Sequence, residues 1–335
     1  MSTSVERRRA SAGIVIIGRN EGERLCRCID SVTGAADAIV YVDSGSSDGS
    51  AEMATARGVA VVVLDTTRTF TAARARNAGV TRLLELGTDL TYVQFVDGDC
   101  EVIAGWLATA IDFLDREPRV AVVCGRLRER FPDRSAFNRL CDMEWDRPAG
   151  VAKACGGIAM MRLAVFESAG RFREELIAGE EPELCVRIRA QGWQVWRLAA
   201  PMAWHDAAMT RFGQWWRRAM RGGHAAAEGM SLHGAPPERH GVVTTRRALV
   251  WGLALPSASV LGMLWSPWAL ALLLAYPMQW LRLALRDGIG DVNMRLRALF
   301  YVLAAFPEAQ GVLRFWLQRR RGHRSTIIEY KQPHA

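Results

Sequence analysis

The stretch that decides the fold is Tyr92–Glu101, YVQFVDGDCE. Tyr92 to Val96 is a short β-branched and aromatic run, which predicts a buried strand. It ends in Asp97-Gly98-Asp99, two carboxylates with a glycine between them. Side chains alternate along an extended chain, so carboxylates two positions apart can converge on one point. Gly98 lets the backbone bend there and leaves room for a bulky anion. Hard carboxylate oxygens at the carboxyl end of a strand suit a Mg²⁺ or Mn²⁺ that also holds a diphosphate. An ordinary Asp-Gly turn is the alternative.

Outward from this stretch the chain alternates. Gly13–Ile17 (GIVII) is a continuous apolar strand of the kind buried on both faces of a parallel sheet. It opens into Gly18-Arg19-Asn20-Glu21, followed by a helical pattern over Glu23–Val32. Ala38–Val42 is a second strand, then come Asp43-Ser44-Gly45-Ser46-Ser47-Asp48-Gly49-Ser50 and a helix to about Arg57, stopped by Gly58. Val59–Leu64 reads as a third strand and Thr71–Leu86 as a helix closing on Gly87. After the central stretch, Glu101–Glu117 reads as a helix and Val120–Cys124 as a fifth strand. This spacing predicts an α/β, Rossmann-like, doubly wound and mostly parallel sheet flanked by helices. Ligands in such sheets bind beyond the carboxyl ends of the strands, where Asn20, Asp43 and Asp97 all fall.

The 335 residues suffice for one large α/β domain and an appendage. The net charge of +8 is almost wholly arginine-borne, since Lys occurs only at 153 and 331. No interleaved basic-aromatic array suggests nucleic acid, whereas an anionic substrate or an anionic membrane surface fits. The seven cysteines are scattered, and Cys26-x-Cys28 is not a zinc spacing. They read as reduced thiols of a cytosolic compartment. The N-terminal charges run into a short apolar strand, which predicts no signal peptide.

In this order and spacing, IVIIGRNEGERLCRCIDSV, YVDSGSSDGS, ARARNAG and FVDGDCE resemble a family 2 glycosyltransferase of the GT-A type. The resemblance covers roughly residues 12–215. It implies a nucleotide-sugar donor, Mn²⁺ or Mg²⁺ at the DXD acids Asp97 and Asp99, and inversion at the anomeric carbon. It further implies that the Asn20-Glu21 turn and the Asp43-Ser44 loop cradle the nucleoside. Asp43 matches the first member of a frequent Asp-Asp pair. Ser44 replaces the second, which weakens the implied preference for UDP. Asp48 either belongs to that loop's binding surface or caps the following helix. Arg76 and Asn77 either cover the pyrophosphate or form a solvated helix face.

Phe131–Gly150 reads as an irregular loop over the site. Ala154–Met161 reads as a strand whose Gly156 and Gly157 permit close approach to a ligand, and the family has a similar stretch beside the donor sugar. Gly179-Glu180-Glu181-Pro182-Glu183-Leu184 resembles the family's Gly-Glu-Asp-x-Glu-Leu segment, with Glu181 in place of the Asp. Pro182 suits a first helical turn, where the dipole favours an ionised carboxylate. Glu181 is thus the catalytic base candidate for the acceptor hydroxyl, with Glu180 as backup. Glu183 reads as a helical partner of Arg187. Trp193–Ala203 is a strand followed by Trp204-His205-Asp206, and the resemblance makes His205 either a third metal ligand or a structural histidine. Gln214-Trp215-Trp216-Arg217-Arg218 resembles a Gln-x-x-Arg-Trp element, with Arg218 where its Trp would stand. Gln214 and Arg217, or Arg218, face a diphosphate or acceptor sugar, or else the helix is a basic surface whose tryptophans rest on a membrane.

From Ala248 to Leu281 no residue is charged. One span needs about 20 apolar residues, so the run is too long for one and short for two. Ser266-Pro267 is the natural turn of a hairpin, and arginines at 246, 247, 282 and 286 keep both ends cytoplasmic. Leu296–Phe306, leading into FWLQRRRGHR, reads as an interfacial amphipathic helix. A soluble buried helical pair is the alternative. The expected organisation is a basic tail (1–11), a glycosyltransferase domain (12–235, donor half 12–130 and acceptor half 131–235), a membrane-associated region (242–320) and a basic tail (321–335). A cut near Gly241 is expected to free a soluble domain. The expected protein sits on the inner membrane facing the cytoplasm and transfers sugar to a lipid-linked saccharide in exopolysaccharide or cell-envelope glycan assembly. A nucleotidyltransferase and an inert scaffold subunit are the other readings. The first would more typically carry a Gly-rich, Lys-containing loop where this chain has GRNEGERL.

Overall fold

The computed structural model describes residues 11–87, 89–322 and 325–330. The tail expected over 1–11 lies outside them apart from Ser11, as does part of the tail expected over 321–335. The chain divides into two compact units. One holds the residues up to Leu127, Arg147–Arg173 and Arg187–His205; the other holds Arg128–Asp146, Glu174–Val186 and the residues from Asp206 on.

The first unit is built on a sheet of β1 (Ala12–Gly18), β2 (Ala38–Asp43), β3 (Ala60–Val63), β4 (Tyr92–Asp97), β5 (Cys100–Val102), β6 (Val120–Glu129), β7 (Gly150–Ala152), β8 (Ala159–Arg162) and β9 (Gln194–His205). The order is β3-β2-β1-β4-β8-β6-β9-β5, with β7 on β9. The last two residues of β6 fall in the second unit. In chain order the helices begin with α1 (Glu23–Val32), α2 (Ser50–Ala56), α3 (Ala72–Glu85), α4 (Trp106–Arg116), α5 (Ala136–Trp145), α6 (Leu163–Ser168) and α7 (Glu180–Ala190). β1 to β4 are parallel, and Ile14, Val15 and Ile16 of the central strand are fully buried, as an unbroken apolar run requires. Beyond β4 the neighbours change direction. β8, from much later in the chain, lies antiparallel to both β4 and β6, and β5 and β7 lie antiparallel to β9. The parallel half follows from strand–helix alternation. The other half does not, because a strand's apolar pattern leaves its partner undefined.

Several boundaries differ from the sequence reading: β6 runs on past Cys124 to Glu129, and β9 takes in Trp204 and His205, which were expected to follow its end. Cys100–Val102 is strand, and α4 begins only after Gly105, whose φ of 85° starts a new element. Phe131–Gly150 is not a loop throughout: Ser135 caps α5, its side chain accepting from Asn138 N at 3.0 Å. Cys155–Ile158 is loop, with Gly156 at φ 92°, and β8 starts at Ala159.

The second unit is helical: α8 (Phe212–His233), α9 (Val242–Leu249), α10 (Leu255–Gly262), α11 (Ala275–Asp287), α12 (Val292–Leu303) and α13 (Ala305–Arg320). α8 and α13 meet through glycines, because a Cβ on Gly223 would lie 2.1 Å from Glu308 O and one on Gly311 2.0 Å from Met220 O. Ala227, Ala248, Ala309, Val312 and Phe315 fill the seam. α12 turns Ala298 and Val302 against Leu283 and Ala284 of α11. The helix expected to lie on a membrane through Leu296–Phe306 is therefore packed on protein along one side, although Leu299 and Tyr301 stay exposed. A cut near Gly241 would strip α13 from α8, so it does not separate a finished domain.

α9 continues through Val250–Ala254 into α10, the chain turns at Met263–Ser266, and Pro267–Leu274 leads into α11. Tyr276 Oη donates to Trp251 O across this hairpin at 2.6 Å. The turn falls at Ser266-Pro267, and Trp265 and Trp268 there are each 83% exposed. Among the described residues, two stretches are long and apolar enough to cross a membrane, Pro267–Asp287 and Val292–Arg320, with 11% and 39% of their apolar windows buried in protein.

The glycine seam gives a neighbour-against-neighbour test. Gly223→Ala should destabilise the fold by the ~1–3 kcal/mol of an overpacked contact. Gly222→Ala, whose Cβ meets nothing within 4 Å, should hold or raise stability through helix propensity. Thermal denaturation of the two variants in detergent checks this, and equal melting temperatures would contradict the close approach.

Candidate active site

Parallel register brings the first acids together. Asp43 lies opposite Gly18 and Asp97 opposite Ile17, so both carboxylates leave the sheet at its carboxyl edge on either side of β1. Asp43 is 2% exposed and held by Tyr41 Oη (3.0 Å), Gly45 N (2.9 Å) and Ser46 N (2.8 Å). Burial and the Asp43 charge push the Tyr41 phenol well above its usual range. Asn20, at φ 55°, accepts from Ser47 N through Oδ1 (2.8 Å), while its own N donates to Ser46 Oγ (2.9 Å). Asn20 thereby laces the β1 and β2 loops together, a left-handed position that asparagine tolerates. Ser44 N donates to Gly18 O at 3.0 Å, Glu21 pairs with Arg24 at 2.7 Å, and Asp48 accepts from Gly22 N and from Ser50 at the start of α2.

On α3, Arg76 and Asn77 are both buried, so they are not a solvated face. Arg76 Nη2 bonds Asp97 Oδ1 at 2.8 Å, and its guanidinium lies over the Phe172 ring at 5.6 Å. Asn77 exchanges hydrogen bonds with the Phe172 main chain at 2.9 and 3.2 Å. A Cβ on Gly157 would stand 2.7 Å from Arg76 Nη2 and 3.0 Å from Asp97 Oδ2, so only glycine leaves that pair its space. Gly156 precedes it in a left-handed conformation.

Asp99 and His205 meet because β5 pairs with β9, Cys100 standing opposite His205. His205 Nε2 is 3.0 Å from Asp99 Oδ2, and the Asp99 side chain is wholly buried. Ligand atoms of Asp99, Cys100 and His205 lie within 4.8 Å of one another. A divalent cation fits these residues. Carboxylate and imidazole suit Mn²⁺, and carboxylate suits Mg²⁺. The acids also crowd negative charge here: burial first, then Asp99 and Asp97, push the Cys28 thiol well above its ordinary value.

In the second unit, Glu180 and Glu181 open α7 with Pro182 in its first turn, and both are buried. Cys185 Sγ donates to Glu181 Oε1 at 2.9 Å, and Glu183 pairs with His233 at 2.9 Å. Gln214 is engaged locally: its Oε1 accepts from Thr210 N and Arg211 N, both at 2.9 Å, starting α8. Arg217 keeps a buried Nε without a hydrogen-bond partner among the described residues, and Arg218 pairs with Glu144 at 2.7 Å. Trp215 is buried beside Cys141 and Met209, and Trp216 donates to Gln310 at 2.9 Å, so these two are held by protein.

Two groups escaped the sequence reading. Phe70, with Arg19 stacked 5.2 Å from its ring centroid, stands against Gly45 beside the Asp43 loop. An aromatic residue within the polar run DTTRTFTA was the available signal. Glu129 (1% exposed) accepts from Ala207 N, Phe131 N and Asn138 Nδ2, while Asn138 Oδ1 accepts from Met209 N. They fix the segment that directly follows His205, and no sequence signal marks a contact this distant.

Among known proteins, the profile described as "Glycosyl transferase family 2" matches residues 13–168. No curated protein matches significantly. The fold is similar to that of mannosyltransferase PcManGT from Pyrobaculum calidifontis, solved in complex with GDP-Man and Mn²⁺, with a TM-score of 0.57 and 20% identity over 90% of this chain and 88% of that one. S. aureus TarS and its 1–349 fragment align at TM-scores of 0.46 and 0.47, with 13% and 15% identity over 86% and 93% of this chain and 55% and 92% of theirs, too distant for any inference. Residues 13–168 thus match the family 2 glycosyltransferase profile, and the fold is similar to that of a solved glycosyltransferase with a sheet of the GT-A type.

Proposed function

We propose that this glycosyltransferase is metal-dependent and inverting, and moves a sugar from a nucleotide-sugar donor to a lipid-linked saccharide at the cytoplasmic face of a membrane. The observation that carries the reading is the convergence at one sheet edge: Asp43 and Asp97 flanking β1 in register, with Asp99 3.0 Å from His205. The Asn20–Asp43 loops, with Glu21 and Ser44, hold the nucleoside, and UDP is the donor nucleotide we would test first. Asp99 and His205, with Asp97 two positions before Asp99 in the chain, would hold Mn²⁺ or Mg²⁺, which when bound would neutralise a departing diphosphate. Arg76 holds Asp97, and Gly156-Gly157 leave the space for this. The buried spare donor on Arg217 suits an anion, whereas Gln214 acts by starting α8. Glu181 takes the acceptor hydroxyl's proton as its oxygen bonds to the anomeric carbon and the bond to the diphosphate breaks, with Glu180 as the second candidate. The domain division we propose follows function: residues 12–130 for the donor, 131–235 for the acceptor and 242–320 for the membrane.

Membrane attachment is supported by the apolar hairpin, whose turn bears Trp265 and Trp268 and whose second arm is only 11% buried. Exposed apolar surface on this scale marks a partner or a lipid phase, and tryptophan favours the interface.

Nucleotide release from a panel of nucleotide sugars by the purified full chain tests the reaction. Asp99→Asn should reduce turnover to background and abolish the rise in melting temperature that Mn²⁺ gives the parent. Activity surviving in metal-free buffer would reassign Asp97 and Asp99 to sugar or nucleoside contacts.

Glu181→Gln keeps size but cannot accept a proton, so turnover should fall on the order of 10²-fold with donor affinity little changed. If Glu180→Gln is instead the crippled variant, Glu180 is the base.

Fractionation checks the hairpin. The full chain should stay with membranes through high salt and leave them only in detergent; release by salt alone would mean that arginines, and not buried apolar surface, hold it there.

A further inference from the structure

At the foot of the apolar hairpin, a cleft of about 220 Å³ opens between α11 and α12. Its rim carries Arg282, Arg286, Arg297, Asp287, Gln279 and Tyr301, over a floor of Leu283 and Ala298. Three guanidiniums thus face one carboxylate. Asp287 already takes two bonds from Arg286, at 2.7 and 3.0 Å. The side chains of Arg282 and Arg297 make no hydrogen bond or ion pair among the described residues, although the Arg297 charge is felt at Asp287. Tyr301 is fixed as one wall by Arg247, which lies 4.3 Å from its ring centroid and donates to its carbonyl at 3.0 Å. Planar guanidinium forks on the two helices match the oxygens of a phosphate, so the cleft is built for an anion of that geometry.

Its position selects the kind of phosphate. Arg282 is the first charge after the uncharged run that ends at Leu281. Met278, Leu281 and Leu285 on the same helix are 69%, 43% and 60% exposed. A free phosphate or nucleotide would satisfy the arginines and leave that apolar strip uncovered, whereas a lipid phosphate carries its own apolar chains. We propose that the cleft binds the phosphate of an anionic membrane phospholipid whose acyl chains lie along Met278, Leu281 and Leu285. Basic clefts next to apolar helices are suited to such headgroups. The inference rests on the membrane attachment proposed above, and its test keeps the two apart.

Full-length protein is floated with vesicles of phosphatidylcholine alone and with phosphatidylglycerol added, and lipid retained after detergent extraction is counted by native mass spectrometry. The parent should float with both vesicles and retain phosphatidylglycerol saturably. The double variant Arg282→Gln/Arg297→Gln should still float with phosphatidylcholine and lose phosphatidylglycerol retention about thirtyfold, the scale expected for two arginines near an anionic surface. Arg282→Lys/Arg297→Lys should recover part of it, and Arg320→Gln/Arg321→Gln should change nothing. Failure to float with either vesicle overturns membrane attachment. Flotation with both but equal retention by parent and double variant overturns the cleft. So does an equal loss in Arg320→Gln/Arg321→Gln, which would reveal diffuse charge, or displacement of the lipid by inorganic phosphate or a nucleotide, which would make the cleft a site for a soluble anion.

Discussion

Carboxylates taken out of water must be met by donors or cations, because an uncompensated buried charge costs several kcal/mol. The candidate site is arranged by that requirement. Asp43 is met by a phenol and two backbone N–H groups, Asp97 by Arg76, and Asp99 by His205. Each solution draws in a further element. Arg76 must itself be buried, which requires the bare Cα of Gly157. His205 arrives only because the short β5 pairs with the end of β9. The negative charge that remains is felt at Cys28, whose thiol is pushed well above its ordinary value by burial and the neighbouring acids.

The second unit meets a different constraint, the close approach of helices. Gly223 and Gly311 let α8 and α13 touch backbone to backbone, and Trp215 near the start of α8 packs with Phe300 of α12. The segment leaving β9 enters this unit clamped by Glu129 and Asn138, so the chain just past His205 has little freedom. Glu181 and Glu183 are held by Cys185 and His233 in the same unit.

The hairpin breaks the pattern of buried apolar residues seen elsewhere. Its arms meet through Tyr276 and Trp251, yet most of its outer face has no protein against it. α12 and α13, of similar hydropathy, are covered far more. Composition alone treats these stretches alike, and burial separates them.

The sequence by itself determined the parallel half of the sheet, the strand ends bearing Asn20, Asp43 and Asp97, the helix opening at Glu180–Glu181 and the turn at Ser266-Pro267. These are local: an apolar run, a glycine, a capping residue or a proline acts within a few positions. Only the tertiary structure decided that β8 slips between β4 and β6, that Arg76 is spent on Asp97, that Gln214 is spent on its own helix start, and that one face of α13 packs on α8. Those outcomes depend on which surfaces are juxtaposed at long range. Period and propensity say that a face is apolar or a side chain charged, but the partner that covers or neutralises it is fixed by packing the whole chain.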